Sequence, residues 1–239
     1  MSRRWGALLV SSAAVALTLA GCAGGAGSTP VPSVPSEVPS APSDPSGAPS
    51  AAWLDDGRAV ALVTWGSSSC PPVMGDAIAR GQEVTVVIEE PPAETVCTAD
   101  LAPRASLVTL PAGVDPAQDL TIIAKGADVD AEVTLAGDAT LTGTPGESTE
   151  FRSSAGWYDS LGIVLLTWGS SSCPPIVEGI DEKADGATVT FRDEDRVCTR
   201  DMAPRTTVLD LGRVPAETAG YTLTLTGGGL DGTVPVVGR

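Results

Sequence analysis

Apolar positions along this chain come in short runs broken by Gly, Pro, Asp and Ser. The runs at residues 59–63 and 163–166 are apolar at every position, the pattern of a strand covered on both faces. Each is followed by a segment, VMGDAIARGQEVTVVIEE (73–90) or IVEGIDEKADGATVTFRD (176–193), that reads as two extended runs about a Gly-containing turn. A short helix opened by the preceding double proline competes for residues 73–80, because Pro suits a first helical turn. β-Branched content and the ADG turn signal favour the hairpin. SLVTL and TVLDL come next, then LTIIAKGADVDAEVTLAG and YTLTLTGGGLDGTVPVVG, each of the latter a hairpin with Gly at its turn. This pattern predicts an all-β fold, a small sandwich or partly open barrel of about six strands, occurring twice.

The duplication is explicit in the letters. WGSSSCPP stands at residues 65–72 and again at 168–175. A Trp-x-Asp segment precedes each copy (WLD at 53–55, WYD at 157–159), and CTADLAPR (97–104) or CTRDMAPR (198–205) follows. Two copies of about 85 residues are large enough to own a core each, so the period means tandem domains and excludes a solenoid. The expected boundaries are 51–137 for repeat one, 138–155 for a flexible linker and 156–239 for repeat two.

Four of the five cysteines lie within the repeats, at matching places. The repetition selects one of the three pairings open to four cysteines, Cys70 with Cys97 and Cys173 with Cys198. Zinc is disfavoured because the chain has no histidine and no C-x-x-C pair.

The N-terminus reads MSRR, then an apolar run over residues 5–20, then Gly21 and Cys22. That order is a secretory signal, residues 1–21. Leu19, Ala20, Gly21 and Cys22 resemble the lipobox of bacterial lipoprotein precursors. The resemblance implies that Cys22 is lipidated through its thiol, palmitate being among the usual acyl groups, and becomes the first residue of a mature chain held at the outer face of a cell membrane. Two or three acyl chains anchor stably where one is marginal. Residues 22–50, rich in Pro, Ser and Ala, cannot bury a core and read as a disordered stalk with a maximum reach of roughly 90 Å.

The formal charge of −16 repels phosphate backbones, and no basic stripe interrupts it, which argues against nucleic acid as a partner. No cofactor is expected. The disulfides would bring Trp65, Ser67, Ser68 and Ser69 beside Thr98, Asp100 and Arg104, and Trp168, Ser170, Ser171 and Ser172 beside Thr199, Asp201 and Arg205. Two readings of this cluster stand side by side. In the first it is a strand exit whose polar groups satisfy one another. In the second it recognises a cell-wall glycan, a peptide carboxylate or an envelope protein, with Arg as a planar fork of donors and Trp as a stacking face.

Enzyme readings fare worse. A serine is a weak nucleophile without a neighbouring base, and there is no histidine. Carboxylates at Asp55, Asp56 and Asp159 suggest glycan hydrolysis only faintly, and calcium binding by DVDAE (128–132) has no counterpart in repeat two. The remaining alternative is inhibition of an extracellular protease, with the disulfide-stiffened GSSSCPP loop as a wedge.

Overall fold

The computed structural model describes residues 47–89, 92, 94–126, 129–215 and 218–238. The signal segment, Cys22, the stalk up to residue 46, and Asp128 of the DVDAE stretch lie outside the described residues. All regular structure described is strand, apart from one short 3-10 turn at Asp55–Gly57.

Repeat one supplies β1 (Ser50–Leu54), β2 (Ala59–Gly66), β3 (Val73–Arg80), β4 (Glu83–Glu89), β5 (Ala102–Thr109), β6 (Leu120–Gly126) and β7 (Val129–Leu135). Repeat two supplies β8 (Ser154–Trp157), β9 (Gly162–Gly169), β10 (Val177–Glu182), β11 (Gly186–Phe191), β12 (Ala203–Asp210), β13 (Thr222–Thr226) and β14 (Gly232–Val237). Residues 73–80 are strand and not helix, as the turn signals indicated. Each repeat has one more strand than the sequence pattern suggested, because SAAWL pairs with β2 as an edge strand and SAGW pairs with β9 on one side and β14 on the other.

In repeat one β1-β2-β5 is an antiparallel sheet facing a mixed sheet, β3-β4-β6-β7, in which β4 and β6 run parallel. Repeat two repeats both layers as β8-β9-β12 and β10-β11-β13-β14, joined by a short parallel pairing of Val236 and Val237 with Ala155 and Gly156. A strand buried on one face alternates, and β4 shows it: Val84, Val86 and Ile88 are inside while Glu83, Val87 and Glu89 face out. Trp53 and Trp157 anchor the two cores. Trp53 is fully buried and its indole N–H donates to the Ala136 carbonyl at 2.7 Å.

β2 and β9 do not alternate, and the reason is a third core. Val60 and Leu62 face the core of repeat one, while Ala61 and Val63 face the other way, onto Tyr158, Val164 and Leu166 of repeat two. Ala52 and Leu54 join them, flanked by Ala105, Leu107, Trp168 and Val208. The surfaces in contact are equivalent: Ala61 and Val63 of β2 stand where Val164 and Leu166 stand in β9. The Thr206 hydroxyl donates to the Ala105 carbonyl at 2.7 Å across the same seam.

Residues 138–155, expected to be a flexible linker, are tied down along much of their length. Asp56 accepts from the Thr142 amide (3.0 Å) and hydroxyl (2.9 Å), the Thr149 hydroxyl donates to Asp55 (3.1 Å), and the Gly238 amide donates to Asp138 (3.2 Å). Asp55 and Asp56 adopt left-handed backbone conformations in the 3-10 turn, which turns their carboxylates toward this segment. The described residues belong to one compact unit, Asp44–Arg239.

Candidate functional site

Both expected disulfides are formed, Cys70 with Cys97 and Cys173 with Cys198, at Cα separations of 5.6 and 5.7 Å. They staple the exit of β2 to the entry of β5, and the exit of β9 to the entry of β12. The β2–β5 ladder runs up to Gly66 opposite Ala102, and the β9–β12 ladder to Gly169 opposite Ala203. Each staple therefore sits at the open end of a two-stranded ribbon.

Arg104 crosses this end, paired opposite Thr64 on the ladder. Its guanidinium donates to the carbonyls of Cys70 (2.8 Å), Trp65 (3.2 Å) and Ser67 (3.3 Å), and to the Thr64 hydroxyl (3.3 Å). Arg205 does the same with the carbonyls of Trp168 (3.0 Å) and Cys173 (3.1 Å). Half-buried carbonyls at a strand exit need donors, and one planar fork satisfies several at once. The glycine of WGSSSCPP makes room for it: a Cβ on Gly66 would lie 2.6 Å from an Arg104 nitrogen, and one on Gly169 would lie 2.8 Å from the Arg205 guanidinium carbon. Burial pulls both arginines below their ordinary pKa, with Asp100 opposing the shift at Arg104.

Asp100 and Arg104 do not pair. Asp100 accepts instead from the Thr98 hydroxyl and, at 3.1 Å, from the Ser68 amide. Asp201 takes the Thr199 hydroxyl and the Ser171 amide (3.2 Å). Those hydrogen bonds, the threonine's first, hold both carboxyls down to about 2. The serines complete the net. Ser67 and Thr98 share a hydrogen bond at 2.8 Å and the Thr98 amide donates to Ser69 at 3.0 Å, as Ser170 does with Thr199 (2.7 Å) and the Thr199 amide with Ser172 (3.0 Å).

The structure thus brings together the serines, threonines, aspartates and arginines that the repeated motifs singled out, and most of them bind each other, while Trp65 and Trp168 meet the arginines through their backbone carbonyls. A carboxylate held near 2 is too weak a base to activate a serine beside it. Trp65 and Trp168 are half-buried; Trp168 donates to the Arg152 carbonyl at 3.1 Å and meets Phe151 edge-on at 5.1 Å. The glycosidase candidates serve turns: Asp55 is buried on Thr149, and Asp159 accepts from the Leu161 and Gly162 amides.

What the staple presents outward was not singled out from the sequence. Val96 is 93% exposed and Leu101 72%; Val197 is 99% exposed and Met202 59%. These apolar side chains flank Cys-Thr-x-Asp at the same places in both repeats, so V-C-T-x-D-[L/M] is a protruding tip, built twice. The signal was present in the repetition of Val before the cysteine and of Leu or Met after the aspartate. The GSSSC side is tied to the tip through Ser67, Ser68 and Ser69.

No protein-family model matches the chain, and neither the curated proteins nor the solved structures give a significant match.

Proposed function

We propose that the chain is a lipid-anchored lipoprotein of the outer membrane face that works without catalysis, as a binding module displayed on a Pro/Ser stalk. One observation carries the reading: a rigid, exposed apolar tip occurs at the same place in each repeat. Val96 with Leu101, and Val197 with Met202, put two exposed aliphatic side chains on each tip, and an apolar patch repeated at equivalent places is what a partner surface offers. The disulfide, the Thr–Asp bond and the serine net fix these tips before any partner arrives, so little conformational entropy is lost on binding. Two tips on one body raise the effective concentration for a partner that meets both.

The partner is a protein and not a glycan. The arginines and hydroxyls suited to a sugar or a free carboxylate are engaged within the net, whereas the outward groups are aliphatic. Photo-crosslinking residues placed at 96 and at 197 in the native envelope test this. The two positions should trap the same class of protein while position 78, on the exposed face of β3, traps none. Equal labelling from position 78 would reject the tips as the binding surface. Anchoring is tested by metabolic labelling with a palmitate analogue, which Cys22→Ala should abolish.

A further inference from the structure

Resting on the tip reading above, we propose that each tip enters the active-site cleft of an extracellular serine protease in the manner of a substrate, the two tips selecting different proteases through Ala99 and Arg200. Four features of the tips support this occupant.

Among the described residues, the backbone of 96–101 and 197–202 makes no backbone-to-backbone hydrogen bond. The Thr98 and Thr199 amides donate to Ser69 and Ser172, and the Asp100 and Asp201 amides to their own carboxylates, which leaves the other backbone groups of the tip to an edge-on partner, as strand addition requires. None of these residues has a positive φ, and 197–202 runs without a bend, whereas the first tip bends at Ala99. Thr98 and Asp100 both turn their side chains into the clasp beneath, which leaves the residue between them aimed outward.

That residue differs in chemistry while its neighbours are kept. Val, Cys, Thr and Asp are identical on both sides, Leu101 and Met202 are alike, and Ala-Pro-Arg follows in both. Ala99 and Arg200 are exposed at the crest. A cleft that pairs with extended backbone and reads one side chain in a deep pocket is what a serine protease offers. Its primary pocket sets specificity, small for Ala and acidic for Arg.

The same clasp explains why such a tip is not consumed. Attack by the protease serine on the Arg200 carbonyl would break the C–N bond to Asp201, pass the hydroxyl proton to the new Asp201 amine and leave Arg200 as an ester. The disulfide at Cys198, the Thr199–Asp201 bond and β12, which starts at Ala203, hold that amine at the acyl carbon. Re-formation of the peptide bond then outruns the entry of water.

The test uses the full chain with Cys22→Ser, titrated against trypsin and against elastase, with hydrolysis of a small chromogenic peptide as readout. One equivalent should silence trypsin, and elastase should also be inhibited. Arg200→Ala should weaken trypsin inhibition at least 100-fold, the loss expected when a buried charge pair loses one member (~3 kcal/mol). Ala99→Arg should raise the trypsin bound from one equivalent to two. Both changes lie on the exposed crest, and an unaltered thermal midpoint shows the fold is kept. Undiminished hydrolysis of both substrates at tenfold molar excess would overturn the proposal. So would cleavage after residues 99 and 200 as fast as in an unfolded peptide of the same sequence. Crosslinks from positions 96 and 197 to a protein without protease activity would reject this inference while leaving the tip reading intact.

Discussion

Gly156 in β8 lies against the carbonyl of Trp53 in β1: a Cβ built on it would stand 2.3 Å from that oxygen. No positive φ requires glycine there, so closeness alone does. The contact holds β1 and β8 of the two repeats together beside the shared core. Gly156→Ala should lower unfolding free energy by about 1–3 kcal/mol, as overpacking does. Thermal unfolding of the variant checks this, and the shift should reach both repeats in one transition because Val63 and Leu166 share a core.

Arg104→Ala should destabilise by about 1–3 kcal/mol, since it strips donors from the carbonyls of Cys70, Trp65 and Ser67. Arg104→Lys should recover only part of the loss, because an ammonium cannot fork across carbonyls on both sides of the loop. A thermal midpoint unchanged in Arg104→Ala would show that the arginine is no brace.

Removing the first staple with Cys70→Ala and Cys97→Ala frees a loop closed over a sequence separation of 27. Chain entropy puts the loss at about 3–4 kcal/mol, visible as a lower denaturant midpoint. The same pair of changes at Cys173 and Cys198, with a separation of 25, should cost about as much.

Acid should loosen the tips late. Asp100 and Asp201 titrate near 2 in the folded chain, below the ordinary carboxylate value of about 3.9 in the unfolded one. A depressed folded value means that the stabilising contribution is present above about pH 4 and is lost as pH falls through about 2. Amide exchange at Ser68 and Ser171, whose N–H groups donate to these carboxylates, should stay slow at pH 3.5 and quicken below pH 2.5. Quickening already at pH 4 would contradict the clasp.

Hairpins, staples and the β2 and β9 strands were legible in the letters because each rests on local chemistry: alternation, a Gly turn, a cysteine repeated at matching places. β1 and β8 were not, since SAAWL and SAGW are short and rich in Ala and Gly, and only their pairing with β2, and with β9 and β14, makes them strands. The order of residues 138–155 was hidden for a similar reason. Thr142 and Thr149 read as solvated until Asp55 and Asp56, more than 80 residues away, supply their acceptors. At the candidate site the sequence led to the polar groups, which attract attention by type. Val96 and Leu101 drew none, because an aliphatic residue signals function only when the fold leaves it outside.

The shared core has a consequence for descent. Equivalent faces of two copies meeting each other is the geometry of an isologous contact, the kind a symmetric homodimer makes. Written into one polypeptide, such a dimer can no longer dissociate, and its halves are no longer obliged to be identical. Fusion keeps Val63 and Leu166 in register as partners while Ala99 and Arg200 drift apart, so a single ancestral surface can become two.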